Sequence, residues 1–352
     1  IRLCDENFKK WQEFAFIMMS DIISAAVVGG NMFFGAAYYP EHWDASLWER
    51  DARLMREAGF NLVRVGEFAW HEFEPEENRF EFQWLDDALD VLDRQGIRAI
   101  VGTPTGTVPA WVAARYPTVM ALQHNGERLH FGGRKNYCFR DPDFLRLSLR
   151  VTERIARRYA DDRRVVGFQT DNEFDAPLNT ACRCDRCLHA FRDFLRDRYK
   201  SIDALNKEWG TRFWGASYNS FDEIGWPPVH MMANPSFQLD LKRFQSNESL
   251  VYQQRQIDVL RKFAPNKFIT HNMMGLYPDL NFYELGKPLD FASWDNYPLF
   301  LDGYARISDT AFAHLVMRSV KEDAFLVMEE QSGPGGWETY PRQARPGEME
   351  LW

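Results

Sequence analysis

Two carboxylic acids in this sequence stand where they could work as a pair. The apolar run at residues 165–173, VVGFQTDNE, ends abruptly in Asn172-Glu173, and a second run at 324–328 leads into Glu329-Glu330. Each reads as a buried strand of a parallel sheet that delivers a carboxyl group at its C-terminal end, where barrel enzymes keep their chemistry. Hydrolysis of a glycosidic bond needs two such groups, one donating a proton to the leaving oxygen and one attacking the anomeric carbon. A separation of about 5–5.5 Å would make the reaction a retaining double displacement. In this reading Glu173 is the acid/base, its proton held by repulsion from an ionised partner. Loss of that charge on glycosylation would free Glu173 to act as base, and Asn172 would bind the sugar 2-hydroxyl. Alternation along the strand turns only one of Glu329 and Glu330 toward the barrel axis, and spacing alone does not say which. Taken alone, an Asn-Glu dipeptide is more often a surface turn or cap. Its place at the end of an apolar strand, with a second strand-end Glu far downstream, favours catalysis.

Four thiols form a second constellation. Cys182, Cys184 and Cys187 make a C-x-C-x-x-C run just after the first of these strands, and Cys138 lies on the long loop before it. Such a set suits a tetrahedral Cys4 zinc site, closed and therefore structural, that would pin two loops of the rim together. The alternatives are a disulfide or free core cysteines, but thiols this close in sequence rarely bridge well and a reducing compartment would keep them open.

These groups need a scaffold, and strand-like and helix-like segments alternate in the way of a parallel sheet with crossover helices. Strands are predicted at 33–39, 61–66, 97–102, 165–170, 267–271, 291–294 and 324–328. Helices are predicted at 47–58 and 84–94, with another through Leu147, Val151 and Ile155. The fold class is α/β, a (β/α)8 TIM barrel lacking its last β/α unit. Nearly every strand ends in a polar residue, among them Glu67, Thr105, Glu173, His271, Asn272, Asp295, Asn296 and Glu329, as an active-site rim requires. A seven-stranded barrel would expose two sheet edges, so a fragment of a longer chain is expected. Residues 1–31 read as a leader or non-native segment outside the barrel, and 32–352 as the incomplete catalytic barrel.

Composition sets limits. The 352 residues are 45% hydrophobic, enough for a large core, and the net charge of -9 argues against nucleic acid or an anionic membrane as partner. Aromatic residues make up 15% of the chain, including 12 Trp, which suits stacking on sugar rings as well as an aromatic core. The segment 14–30 is apolar but carries Asp21, and no run reaches the length of a membrane span. A cytoplasmic location is expected.

The chain resembles the catalytic barrel of glycoside hydrolase family 42 β-galactosidases from about Met32 to its last residue. The resemblance rests on YYPEHW (38–43), NLVRVGEFAWHEFEP (61–75), TPTGTVPAW (103–111), QTDNE (169–173), LNKEWGTRFW (205–214) and MEEQSGPGGW (328–337). It implies Glu173 as acid/base, Asn172 beside it, and Glu329 rather than Glu330 as nucleophile. It also implies Arg134 and Trp337 as sugar-binding residues, and Cys138, Cys182, Cys184 and Cys187 as zinc ligands. Glu330 and Gly336 depart from the family pattern of Gln and Asn at those positions, which bears on the subsite around Trp337. Family members continue into a further strand, a trimer-forming domain and a small β domain, so a homotrimer is implied for the full-length protein. The activity implied is that of a retaining exo-β-galactosidase acting on a small carbohydrate. Alternatives are the same mechanism on an α-L-arabinopyranoside or other β-glycoside, or a catalytically silent carbohydrate-binding fragment.

Overall fold

The computed structural model describes residues 22–28, 31–174, 182–227, 234–298, 307–333, 345 and 347, with 22–28, Asn31 and Ile307 given by their backbone only. One sheet holds nine strands: β1 (Ile22–Val28), β2 (Asn31–Ala37), β3 (Leu62–Val65), β4 (Arg98–Gly102), β5 (Val165–Gln169), β6 (Phe268–Thr270), β7 (Asn272–Met274), β8 (Ser293–Asn296) and β9 (Leu326–Glu330). Their order is β6-β5-β4-β3-β2-β1-β9-β8-β7. The two ends of that order meet, because β6 and β7 are one strand interrupted at His271. The first half pairs with β5 and the second with β8. The sheet is therefore a closed barrel, and the pairs from β2 through β9 are parallel.

The remaining stave is β1, which runs antiparallel to both β2 and β9. For Ile22–Val28 and Asn31 this corrects the expectation that residues 1–31 stand apart from the barrel; residues 1–21 and 29–30 lie outside the described residues. Ile22–Val28 fills the gap between the first and last parallel staves, and the sequence IISAAVV explains why it can. Its β-branched residues Ile22, Ile23, Val27 and Val28 favour a strand, and the edges of β2 and β9 supply N–H and C=O groups on both sides.

Side chains from opposite staves, Leu62, Ile100, Leu326 and Met328 with Phe291, meet in one buried cluster that fills the barrel interior. Phe268 plugs the same region, and a Cβ on Gly167 would stand 2.2 Å from its ring, so only glycine lets β5 pass. A larger apolar core lies between the sheet and the surrounding helices, Trp48–Glu57, Gln83–Arg94, Pro142–Tyr159 and Pro235–Phe263 among them. In Pro142–Tyr159 the predicted stripe of Leu147, Val151 and Ile155 is fully buried. The Asp141 carboxylate caps its first turn by accepting from the N–H groups of Asp143 and Phe144. After β5 the chain makes a helical excursion, Asp185–Tyr199 and Ile202–Trp209, with its own small core around Phe191, Leu205, Trp209 and Phe244. No helix among the described residues is long and apolar enough to cross a membrane.

The predicted strands lie within a few residues of the observed ones, but β7 lies beyond the predicted end at His271, and β8 and β9 run two residues further than predicted, through Asp295-Asn296 and Glu329-Glu330. The prediction stopped where the apolar run stopped. In the barrel, ladder hydrogen bonds carry the backbone past that point and polar side chains follow it into the interior. β9 also carries a bulge. Trp294 pairs with Val327 and Asp295 with Glu329, so Met328 is extra. That insertion resets the alternation and decides which glutamate looks inward.

Candidate active site

The C-terminal ends of the strands converge on Glu173, Glu329 and Asp295, whose carboxylate oxygens lie within 4.8 Å of one another. Because of the bulge at Met328, Glu329 shares a face with Asp295. Glu330 instead accepts two hydrogen bonds from Asn296 Nδ2, at 2.9 and 3.0 Å, and burial pushes its carboxyl up to about 7.

Glu329 is held from three directions. Arg64 Nη2 lies 2.7 Å from its Oε1, Tyr297 donates its phenol to Oε2 at 2.5 Å, and Asn272 Nδ2 donates to Oε1 at 3.2 Å. Arg64 projects from the middle of the otherwise apolar strand β3 into the barrel. It is fully buried there and pairs also with Glu67 at 2.9 Å. A guanidinium and a phenol O–H on one carboxylate favour its ionised form.

Glu173 occupies the opposite environment. Burial is the first cause that raises its carboxyl above the ordinary glutamate range, and the charge of Glu329 is the second. Lys135, Arg134 and a hydrogen bond with Asp295 act against them. Arg134 Nη1 stands 3.8 Å from Glu173 Oε2, with its guanidinium over the Phe68 ring. Asn172 Nδ2 donates to the same oxygen at 3.3 Å. One carboxyl is thus biased to hold a proton and the other to release it, as a proton donor and a nucleophile require.

The turn that carries Glu173 is shaped by its own sequence. Asp171 and Glu173 both have positive φ, 46° and 41°, a backbone shape that costs free energy outside glycine and needs surrounding support. The Asp171 carboxylate accepts from Thr105 Oγ1, from the Tyr137 phenol and from the Asn172 N–H, while its own N–H donates to Thr103 Oγ1. Beyond the turn, the Glu173 N–H donates to Asn272 Oδ1 and the Phe174 N–H to His271 Nε2. His271 donates through Nδ1 to the Thr170 carbonyl at 2.7 Å, and burial pushes its pKa down to about 3. The break between β6 and β7 is therefore a neutral histidine of fixed tautomer that clamps the Glu173 turn.

Behind this turn the four cysteines come together. All four are buried, with Sγ–Sγ separations of 3.9 Å for Cys138–Cys184, 3.5 Å for Cys138–Cys187 and 3.6 Å for Cys184–Cys187. A tetrahedron of sulfurs around zinc at a bond length near 2.3 Å has edges of about 3.8 Å. The three separations match that edge, and Cys182 Sγ lies within 4.8 Å of the other three, so the set could hold a metal ion. Leu122 donates its N–H to Cys182 Sγ at 3.3 Å, and Ala121, Leu122, Leu129 and Trp226 wall the cluster.

The structure brings together Glu173, Glu329, Asn172 and Arg134, and separately the four cysteines. Trp337 lies outside the described residues. Sequence reasoning set His271, Asn272 and Asp295 on the rim without a specific role, and it missed Arg64, Tyr297 and Asp171. For Arg64 a signal existed, since a cation inside the strand LVRV has to find buried carboxylates. Asn272 joins the two glutamates through tertiary contacts that no local pattern announces.

The family model for glycoside hydrolase family 42, described as beta-galactosidase, matches residues 37–352. The chain is 44% identical over 333 residues to the beta-galactosidase BgaA of a Thermus species, an alignment covering 90% of this chain and 52% of that protein. It is 39% identical to the beta-galactosidase Bga of Halorubrum lacusprofundi over 91% of this chain and 48% of that one. Among solved structures, the beta-galactosidase from the psychrophilic Marinomonas ef1 superposes with a TM-score of 0.83 at 35% identity, covering 90% of this chain and 51% of that one. The catalytic domain of a beta-amylase from Paenibacillus polymyxa, at 12% identity and a TM-score of 0.62, shares the fold alone. The chain spans about half the length of the curated relatives it matches. With a family match over most of its length and two unlike carboxyl groups at the mouth of a β/α barrel, this chain belongs to glycoside hydrolase family 42.

Proposed function

We propose that the protein is a retaining exo-β-galactosidase with Glu173 as acid/base and Glu329 as nucleophile. The observation that carries this reading is that an oxygen of Glu173 and an oxygen of Glu329 lie within 4.8 Å of each other. That supports the short spacing of retaining enzymes over the wider one, about 6.5–9.5 Å, of inverting enzymes. In the first step Glu173 gives its proton to the leaving oxygen while Glu329 attacks the anomeric carbon. In the second, Glu173 takes a proton from water as the hydroxyl oxygen displaces Glu329. Asn172, beside Glu173, would bind the 2-hydroxyl, and Arg134, at the partly exposed rim over Phe68, would bind another sugar hydroxyl. Trp337 is proposed as a subsite residue from the resemblance alone.

Zinc is proposed for Cys138, Cys182, Cys184 and Cys187, supported by the fit of the sulfur separations. The ion would be structural, tying the loop that carries Arg134 and Lys135 to the start of the helix Asp185–Tyr199. A cytoplasmic location agrees with four unbridged thiols. A homotrimer is proposed for the full-length protein, following the family resemblance.

The test is hydrolysis of a nitrophenyl β-galactoside, with the first-formed sugar followed by NMR. β-Galactose released first, and turnover reduced about 10³-fold or more in both Glu173→Gln and Glu329→Gln, is the expected outcome. Release of the α-anomer first, or full activity in either variant, would overturn the assignment. Faster cleavage of an arabinopyranoside would redirect the substrate without touching the mechanism.

A further inference from the structure

Asp295 has no part in the two-carboxylate mechanism, yet it lies in the middle of it. It projects from the C-terminal end of β8 and is 4% exposed, with an oxygen within 4.8 Å of both Glu173 and Glu329. Asn272 Nδ2 donates to Asp295 Oδ2 at 2.8 Å as well as to Glu329 Oε1 at 3.2 Å, which fixes Asp295 in the cradle. A hydrogen bond from the protonated Asp295 carboxyl holds the Glu173 pKa down, whereas an ionised Asp295, with an oxygen within 4.8 Å, pushes it up by like-charge repulsion. Two carboxyl groups hydrogen-bond one another only when a proton lies between them, because an ionised carboxylate has nothing to donate.

We propose that Asp295 is a positioning residue that shares one proton with Glu173 and keeps Glu173 basic in the second half of the reaction. The inference rests on Glu173 being the acid/base. It addresses a difficulty in a scheme with two carboxylates. The charge of Glu329 disappears when that residue becomes a glycosyl ester, so the repulsion that favours a proton on Glu173 disappears just when Glu173 must take one from water. The charge of Asp295 persists. In the first step the shared proton moves to the glycosidic oxygen as the bond to the anomeric carbon breaks and the Glu329–carbon bond forms. Glu173 and Asp295 are then both ionised and adjacent. In the second step a proton of water returns to that pair, the water oxygen bonds to the anomeric carbon, and Glu329 leaves as carboxylate.

Other charged groups face the pair. Arg134 and Lys135 come from the loop before Cys138, Arg64 from β3, itself paired with Glu67, and Glu329 from β9. The Tyr297 phenol binds Glu329, and His271 is uncharged. Two carboxyl groups this close titrate in two steps that belong to the pair, the upper one raised by the charge left on the partner.

The experiment uses the whole chain and Asp295→Asn, whose amide keeps the shape and cannot ionise. Carboxyl-labelled Asp and Glu are titrated by carbon-13 NMR, with Glu173→Gln to assign the signals. The expected result is that Glu173 and Asp295 respond together in the upper step, and that this step moves to lower pH in Asp295→Asn by about one unit or more. In kinetics with an activated aryl galactoside, kcat falls about 100-fold, KM falls with it as the glycosyl-enzyme accumulates, and kcat/KM stays within about threefold. Rescue by Asp295→Glu is expected in part. A Glu173 titration unchanged by Asp295→Asn overturns the proposal, as does an equal fall in kcat and kcat/KM. If the chain does not cleave galactosides, the proposed function fails, and the NMR titration still decides whether the proton is shared.

Discussion

Arg64 binds two buried carboxylates at once, Glu67 at 2.9 Å and Glu329 at 2.7 Å. Removing the cation strands two charges, so Arg64→Met should lower unfolding free energy by about 3–5 kcal/mol in denaturant titrations. Arg64→Lys keeps the charge but loses the fork, and a smaller loss is expected. The neighbouring acids of β9 make a sharper contrast. Glu330→Gln should leave turnover within about threefold, under ~1 kcal/mol in the barrier, where Glu329→Gln abolishes it. Glu330 also sets a pH dependence. Its folded pKa, about 7, lies above the ordinary 4.5, so the folded state binds more protons between those values. Stability is therefore lost as pH rises through that window, on the order of 3 kcal/mol in all. Unfolding midpoints of wild type and Glu330→Gln should diverge above about pH 5 and run parallel beyond the folded pKa. The sequence placed a carboxyl pair at this strand end correctly but left two candidates, because a one-residue bulge is made by pairing with β8 and has no local signature.

At the scale of elements, the β6/β7 break matters because His271 ties the Thr170 carbonyl to the Phe174 N–H and so fixes the turn between them. Its folded pKa, about 3, lies below the ordinary 6.5. The unfolded chain binds the extra proton, so stability falls as pH drops below 6.5 and continues to fall toward 3, by about 2 kcal/mol at pH 5. In the Glu330→Gln background, where the opposing trend is absent, this decline should appear in denaturant midpoints, with the His271 ring still neutral by NMR at pH 5. A titration of that ring near 6.5 would contradict it. The cysteine cluster spans the loop before Cys138 and the helix Asp185–Tyr199. About one zinc per chain is expected by metal analysis, and its removal by a chelator should lower Tm by several degrees. Cys138→Ser should do the same and raise KM, because Arg134 lies on the loop it releases. The spacing C-x-C-x-x-C was legible without a structure. That Cys138 completes it geometrically follows only from how β4 and β5 lie side by side.

For the whole molecule, closure of the barrel depends on β1. Ile22–Val28 pairs antiparallel with β2 and β9, neither of which has another partner on that edge among the described residues. A proline at Ala26, opposite Phe33 of β2, disrupts a stave that pairs on both sides. Ala26→Pro should lower amide hydrogen-exchange protection in β2 and β9 and promote self-association, read by light scattering. Unchanged protection would show that the barrel closes without β1. The antiparallel stave was illegible because the (β/α) rhythm predicts only parallel neighbours, and IISAAVV carries no mark of direction.

What the sequence determined by itself was the rhythm of seven parallel strands, the stripe of the crossover helices, and the residue types at the strand ends. These follow from hydrophobic period and turn chemistry, which act over a few residues. The tertiary structure decided which acids face each other. The bulge at Met328 turns Glu329 inward, Arg64 crosses the barrel to meet it, and Asn272 joins it to Asp295 and the Glu173 turn. Those choices depend on distances between strands far apart in the chain, and a proton shared between Glu173 and Asp295 exists only where folding has set the two carboxyls side by side.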